Sequence, residues 1–140
     1  MDAVFLAGRI LFAVIFLASG LMTHLAGRAG AMQYARAYKA PAPELMVPLS
    51  GLVIVVGALS VALGVLADVG ALLLGAFALS IAPIMHAFWR EEDPQAQQNQ
   101  MAHFMKNIAM VGGALVIFYV YNQLQGDAPL SLTDPLFNRG

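Results

Sequence analysis

The chain of 140 residues contains no cysteine. It can therefore form no disulfide, and it offers no thiolate nucleophile, no iron–sulfur ligand and no cysteine-ligated zinc site. Thiol–disulfide exchange with a quinone is excluded for the same reason. The sequence also contains no glycine-rich phosphate loop, no HExxH metal motif and no nucleophile elbow. It thus indicates no metal site and identifies no catalytic residue.

Charged residues are scarce as well. They make up 11% of the chain, against about 25% in ordinary soluble domains. Hydrophobic residues make up 60%, and the mean hydropathy is +0.75. This composition excludes a typical soluble protein and makes the lipid bilayer the expected environment. Because the net charge is only −1, nucleic-acid binding has no electrostatic basis.

Four stretches are long and apolar enough to cross a bilayer, which takes about 20 apolar residues. In lipid the backbone must satisfy its own hydrogen bonds, so we predict an all-α fold, a transmembrane up-down four-helix bundle in one domain. The first stretch has Asp2 in place of a basic leader, so we expect a retained helix rather than a cleaved signal peptide. The predicted spans are 3–25, 45–67, 69–89 and 101–124, followed by an extended C-terminal tail at 125–140.

The connections between the spans differ in length. Asp68 alone separates the second and third spans, where it is expected to cap the third helix in a tight hairpin. The first connection is longer, and its stretch 31–39 predicts a short helix in the headgroup region, ended by Pro41 and Pro43. Pairs of small residues such as Ala71 and Gly75 indicate close helix packing, with a homodimer as a second possibility.

This topology brings most of the polar residues to one membrane face. Arg9 lies near the opposite face, where we interpret it as an anchor that reaches the headgroups. Five Lys or Arg residues near the spans lie on the polar face and two, Arg9 and Arg139, on the other, so the positive-inside rule predicts both termini outside. The polar face collects His24, His86, Trp89, Arg90, Asp93, His103, Lys106 and Asn107.

Several of these residues are candidates for ligand binding. His103, Lys106 and Asn107 share one helical face that should look inward. Asn107 is too short to reach the headgroups and must find a partner in the bundle, and Asp93 is expected to fold back and pair with Lys106 or Arg90. The lysine and the imidazoles offer hydrogen-bond donors that suit a quinone carbonyl or a small oxyanion. The full set of candidates is His24, His86, Trp89, Asp93, His103, Phe104, Lys106 and Asn107.

Each candidate also has a purely structural interpretation. Phe88 and Trp89 are explained equally well by an aromatic belt at the interface. His86 would lie one helical turn before Trp89, and it more often bonds a backbone carbonyl than a substrate. Pro83 should kink the third helix and open space near the bundle centre. Haem bound between His24 and His86 is not expected, because His24 lies at a helix edge and two axial imidazoles must face each other at matching depth.

A larger pattern resembles the DoxX family of small four-span bacterial membrane proteins, and the likeness extends over nearly the whole chain. Arg9 and Phe16, the Ser19-Gly20 pair and the Pro41-Ala-Pro43 segment agree with it. The most specific part is the series His86-Ala-Phe88-Trp89, Asp93-Pro94, Phe104-Met105-Lys106-Asn107 and Gly112-Gly113.

The resemblance implies a redox-associated protein of the bacterial inner membrane. Family members include proteins associated with a quinol oxidase and thiosulfate:quinone oxidoreductase subunits, so it implies a quinone-binding pocket beside a membrane or redox partner. Many relatives have Gly-x-x-Glu on the second span, whereas this chain has Ile54 in place of the glutamate. The alternative is a non-enzymatic accessory or assembly subunit of a larger membrane complex, and whether the chain is an enzyme stays open.

Overall fold

The computed structural model describes residues 1–124 and 127–137. Four helices in it are long and apolar enough to cross a membrane, and the described residues contain no strand, which confirms the all-α prediction. The predicted tail 125–140 is therefore described only in part, and Arg139 lies outside the described residues. The elements are α1 (Asp2–Ala18), a π-helix that continues it (Ser19–Ala26), α2 (Arg28–Ala37), α3 (Pro43–Leu63), α4 (Ala67–Met85), a short 3-10 helix (Phe88–Arg90) and α5 (Pro94–Leu124).

Helix α4 lies at the centre of the bundle and packs against α3 on one side and α5 on the other, while α1 packs mainly against α3. Small residues permit these close approaches. A Cβ atom added at Gly70 would collide with the Ser60 hydroxyl, and one at Gly75 would lie 3.1 Å from the Ala114 methyl. The predicted small-residue pairs are thus packing positions within the chain.

Helix α2 overlaps the short helix predicted at 31–39, whereas three ends of the spanning helices differ from prediction by four residues or more. Helix α3 ends at Leu63 rather than at residue 67. Helix α4 ends at Met85, two residues after Pro83, and His86 leaves the helix with φ −129° and ψ 41°. Helix α5 begins at Pro94 rather than near residue 101. The side chain of Asp93 accepts a hydrogen bond from the Ala96 amide at 2.7 Å, so this polar first turn is a capped helical extension of the span.

The predicted role of Asp68, as the cap of the helix after the turn between α3 and α4, is wrong. The helix starts one residue earlier, at Ala67, and Asp68 is fully buried in its first turn. Its Oδ2 accepts a hydrogen bond from the Phe137 amide at 2.8 Å. Gly64, with φ +67°, ends α3, and its carbonyl accepts hydrogen bonds from the amides of Leu132 and Thr133. Asp68 therefore holds the tail rather than capping the helix.

The predicted role of Arg9 as a headgroup anchor is also wrong. Only 1% of its surface is exposed, so it does not reach the headgroups. Its guanidinium donates to the Tyr121 hydroxyl, to Ser131 Oγ at 2.6 Å and to the Leu130 carbonyl at 2.8 Å. Nε has no hydrogen-bond partner among the described residues. The described part of the tail thus folds back over the end of the bundle and supplies the acceptors that a buried guanidinium needs.

Candidate functional site

A cavity of about 920 Å³ lies at the polar end of the bundle, and its lining comes mainly from the π-helix, α2, α3 and α4, with His103 and Lys106 from α5. Its walls along the bundle are apolar and include Val53, Leu73, Phe77 and Ile81. Polar side chains gather toward the end where the π-helix leaves the bundle and α5 enters it. They include His24, Tyr34, Ser50, His86, His103 and Lys106, and the cavity is also lined by the hydroxyl residues Ser19, Thr23 and Ser80.

His24 enters this cavity from the π-helix, an element that often marks functional sites. Its Nδ1 lies 2.9 Å from Ser50 Oγ and 3.3 Å from the Val47 carbonyl oxygen. The approach depends on Gly51, since a Cβ atom there would lie 2.7 Å from the His24 Cβ. His24 is thus fixed against α3 by one hydroxyl and one glycine.

His86 and His103 meet at the polar end. Their rings are stacked, with centroids 5.1 Å apart and an angle of 24° between the planes. Lys106 Nζ lies 3.4 Å from His103 Nδ1 on the same helix. The break in α4 after Met85 places His86 in this contact, so it does not share a helical stripe with Trp89 as the sequence suggested.

A hydrogen-bonded network connects His86 to the membrane face. His86 Nδ1 lies 2.8 Å from Gln100 Oε1, and Gln100 Nε2 donates to the hydroxyls of Tyr34 at 2.9 Å and Tyr38 at 2.5 Å. Tyr38 donates in turn to Glu91 Oε1 at 3.1 Å. Burial, assisted by the contacts with Tyr34 and Glu91 and opposed by the hydrogen bond from Gln100, raises the pKa of Tyr38 to about 12, so its hydroxyl keeps its proton. The network closes α2 onto α5.

The sequence prediction missed this network. Gln100 is 7% exposed and lies one turn before His103 on the same helix. The inward face that carries His103 and Asn107 includes Gln100 when it is continued one helical turn toward the N-terminus. The predicted start of the fourth span near residue 101 prevented that step, because it treated the glutamines as loop.

The other predicted candidates lie outside the cavity lining. Trp89 and Phe104 pack edge to face at 5.7 Å, and Phe88 contacts both rings, so they form an aromatic cluster of their own. Asp93 caps α5 instead of pairing with Lys106 or Arg90. Asn107 is buried, but its Nδ2 finds no partner among the described residues, contrary to the expected hydrogen bond in the bundle.

Apart from Tyr34, the ionisable side chains that line the cavity are basic. Its lining includes Lys106 and three histidines, and no Asp or Glu among the described residues contributes to it. Residues 1–124 and 127–137 also contain no group of three or more potential metal ligands. A lining of this kind favours a neutral or anionic ligand over a cation.

The family model for DoxX matches residues 4–87, more than half of the chain. This chain belongs to the DoxX family. Together with the four apolar helices, the match makes it a multi-pass membrane protein. The matched range includes His24 and His86 and ends before His103 and Lys106. No curated protein and no solved structure matches the sequence.

Proposed function

We propose that this DoxX-family protein binds a quinone-class head group in the cavity, as a redox-associated protein of the bacterial inner membrane. The observation that carries the proposal is the division of the cavity into a polar end and long apolar walls. An isoprenoid quinone has the same division, with a ring that accepts hydrogen bonds and an apolar chain. Val53, Leu73 and Ile81 suit the chain, while His86, His103 and Lys106 suit the ring.

The positive charge of Lys106 in the lining supports an oxygen atom of the head group, in either redox form, as the atom that is bound. Lys106 donates hydrogen bonds only, and an imidazole donates from at least one nitrogen. The chain has no cysteine and no recognisable cofactor motif, so we infer that electrons reach the ligand from a partner subunit in the same membrane.

The test compares quinone retention in matched variants. Protein is reconstituted in nanodiscs with ubiquinone, and the retained quinone is extracted and quantified per protein. Lys106→Met keeps the length of the stem and removes the charge in the cavity, whereas Lys39→Met makes the same change on an exposed residue outside it. We expect Lys106→Met and His86→Phe to lose most of the bound quinone, while Lys39→Met retains it and all three keep their melting temperature.

A second comparison uses tyrosine. Tyr34 lines the cavity, whereas Tyr119 is 63% exposed and lies outside it, so only Tyr34→Phe should reduce retention. Equal retention in all variants, or none in the wild type, contradicts the proposal. Purification with a stoichiometric membrane partner and no ligand would instead support the accessory or assembly role.

A further inference from the structure

The hydrogen-bonded network behind His86 contains one group that can only accept. The carboxylate of Glu91 has no proton to donate, so the Tyr38 hydroxyl must direct its single proton toward Glu91 Oε1. The Tyr38 oxygen is then left as an acceptor. Its neighbour at 2.5 Å on Gln100 must therefore be a donor, which identifies that atom as the amide nitrogen.

The orientation of the Gln100 amide decides the next contact. With the nitrogen directed at Tyr38 and Tyr34, the amide oxygen faces His86 Nδ1 at 2.8 Å. An amide oxygen only accepts, so Nδ1 of His86 must carry the proton. In the neutral ring Nε2 is then an acceptor, and among residues 1–124 and 127–137 the only side-chain hydrogen bond of the His86 ring is the one through Nδ1.

We infer that Gln100 is a positioning residue that holds His86 with an unprotonated Nε2. The cavity then selects a head group that bears a hydroxyl, and so prefers a hydroquinone to the oxidised quinone. The inference rests on the proposed function and names the form of its ligand. A hydroxyl can donate to His86 Nε2 and also accept from a donor such as Lys106, which approaches the stacked His86–His103 pair. A quinone carbonyl or an oxyanion accepts only and so makes no hydrogen bond to Nε2.

The tautomer is tested first, without any ligand. The chain has three histidines, so ¹⁵N-histidine labelling in nanodiscs at pH 8 gives few signals, and the one lost in His86→Phe is assigned to His86. We expect a protonated Nδ1 and a bare Nε2. Glu91→Gln lets Tyr38 turn and should convert the His86 signal to a mixture of tautomers, whereas Glu92→Gln, the neighbouring carboxylate without a role in the network, should not.

Gln100→Leu removes the acceptor itself and should have the same effect as Glu91→Gln, with the exposed Gln98→Leu as its matched control. A protonated Nε2 in the wild type, or a His86 signal unchanged in Glu91→Gln, overturns the inference. This measurement needs no bound quinone and is therefore independent of the proposed function.

The ligand is tested second, by loading nanodiscs with ubiquinol or ubiquinone and comparing retention. One additional hydrogen bond corresponds to about a fivefold preference for ubiquinol, which Glu91→Gln should reduce and Glu92→Gln should preserve. Equal retention of both forms overturns the inference but leaves the proposed function standing. Retention of neither form removes the proposed function, and with it the choice between the two forms.

Discussion

At the residue scale, the contact between His24 and Gly51 decides how far the π-helix can approach α3. The Cβ atom of His24 occupies the space that a side chain at position 51 would need, at 2.7 Å. The adjacent hydrogen bond from His24 to Ser50 requires the same approach, at 2.9 Å. The absence of a Cβ atom at Gly51 therefore sets the position of the His24 imidazole in the cavity wall.

We predict that Gly51→Ala lowers stability by about 1–3 kcal/mol, the usual cost of overpacking a tight contact. The matched control is Gly112→Ala, because Gly112 is exposed on α5 and a Cβ atom there meets nothing within 4 Å. In a helix that substitution should be neutral or slightly stabilising. Thermal unfolding in detergent measures both variants, and equal melting temperatures would contradict this account of the π-helix contact.

At the element scale, the tail acts together with α1. The described tail residues form no regular helix, yet they supply Arg9 with a hydroxyl and a backbone carbonyl, and Asp68 with a backbone amide. Burying a guanidinium without such acceptors would be costly. The tail, Arg9 of α1 and Asp68 of α4 therefore depend on one another.

A double-mutant cycle tests this dependence. Arg9→Met and Ser131→Ala remove the two sides of a 2.6 Å hydrogen bond, and we expect a coupling of about 1 kcal/mol, within the range measured for polar contacts between membrane helices. The cycle with Arg28→Met, an exposed arginine on α2, should give no coupling. Free energies of unfolding from detergent titration provide the measurement, and additive effects in the Arg9 cycle would show that the tail is held by other contacts.

Hydrophobic runs predicted which segments span the membrane because hydropathy reports directly on the solvent that a helix meets. It reports less on helix ends. The first turns of α5 are polar, so the sequence placed its start near residue 101 although Pro94 and the Asp93 cap begin it. The burial of Arg9 was missed because its acceptors come from residues 121–131, far along the chain.

The same distinction applies to the candidate site. Topology alone was enough to bring His24, His86, His103 and Lys106 to one end, and all four line the cavity. It could not predict that α4 breaks at His86, which turns Trp89 toward Phe104 and away from the cavity. The role of Gln100 depends on side chains from three elements, and no spacing within one helix encodes that arrangement.

At the scale of the whole molecule, the two ends of the bundle differ. One end has the cavity, with Lys106 and the imidazoles in its lining. The described tail packs across the other end, over the turn between α3 and α4. An amphiphile that enters the cavity along its apolar walls would therefore meet polar groups at one membrane face only.

This asymmetry bears on orientation, which we predict with both termini outside the cytoplasm. Among the described residues, Arg28, Arg36, Lys39, Arg90 and Lys106 belong to the cavity end of the chain's topology, against Arg9 at the other. Since Arg9 is buried and hydrogen-bonded inside the bundle, it cannot anchor at the headgroups, and the bias toward a cytoplasmic cavity face is stronger than the bare count.

The absence of cysteine makes the orientation directly measurable, because a single introduced cysteine is the only thiol. Gln98→Cys lies on the exposed first turns of α5 at the cavity face, and Asp134→Cys lies on the exposed part of the tail at the other. In intact spheroplasts a membrane-impermeant maleimide should label Asp134→Cys, whereas Gln98→Cys should react only after permeabilisation. The reverse pattern would place the cavity on the outer side of the membrane, where a bound head group would be accessible to external rather than cytoplasmic redox partners.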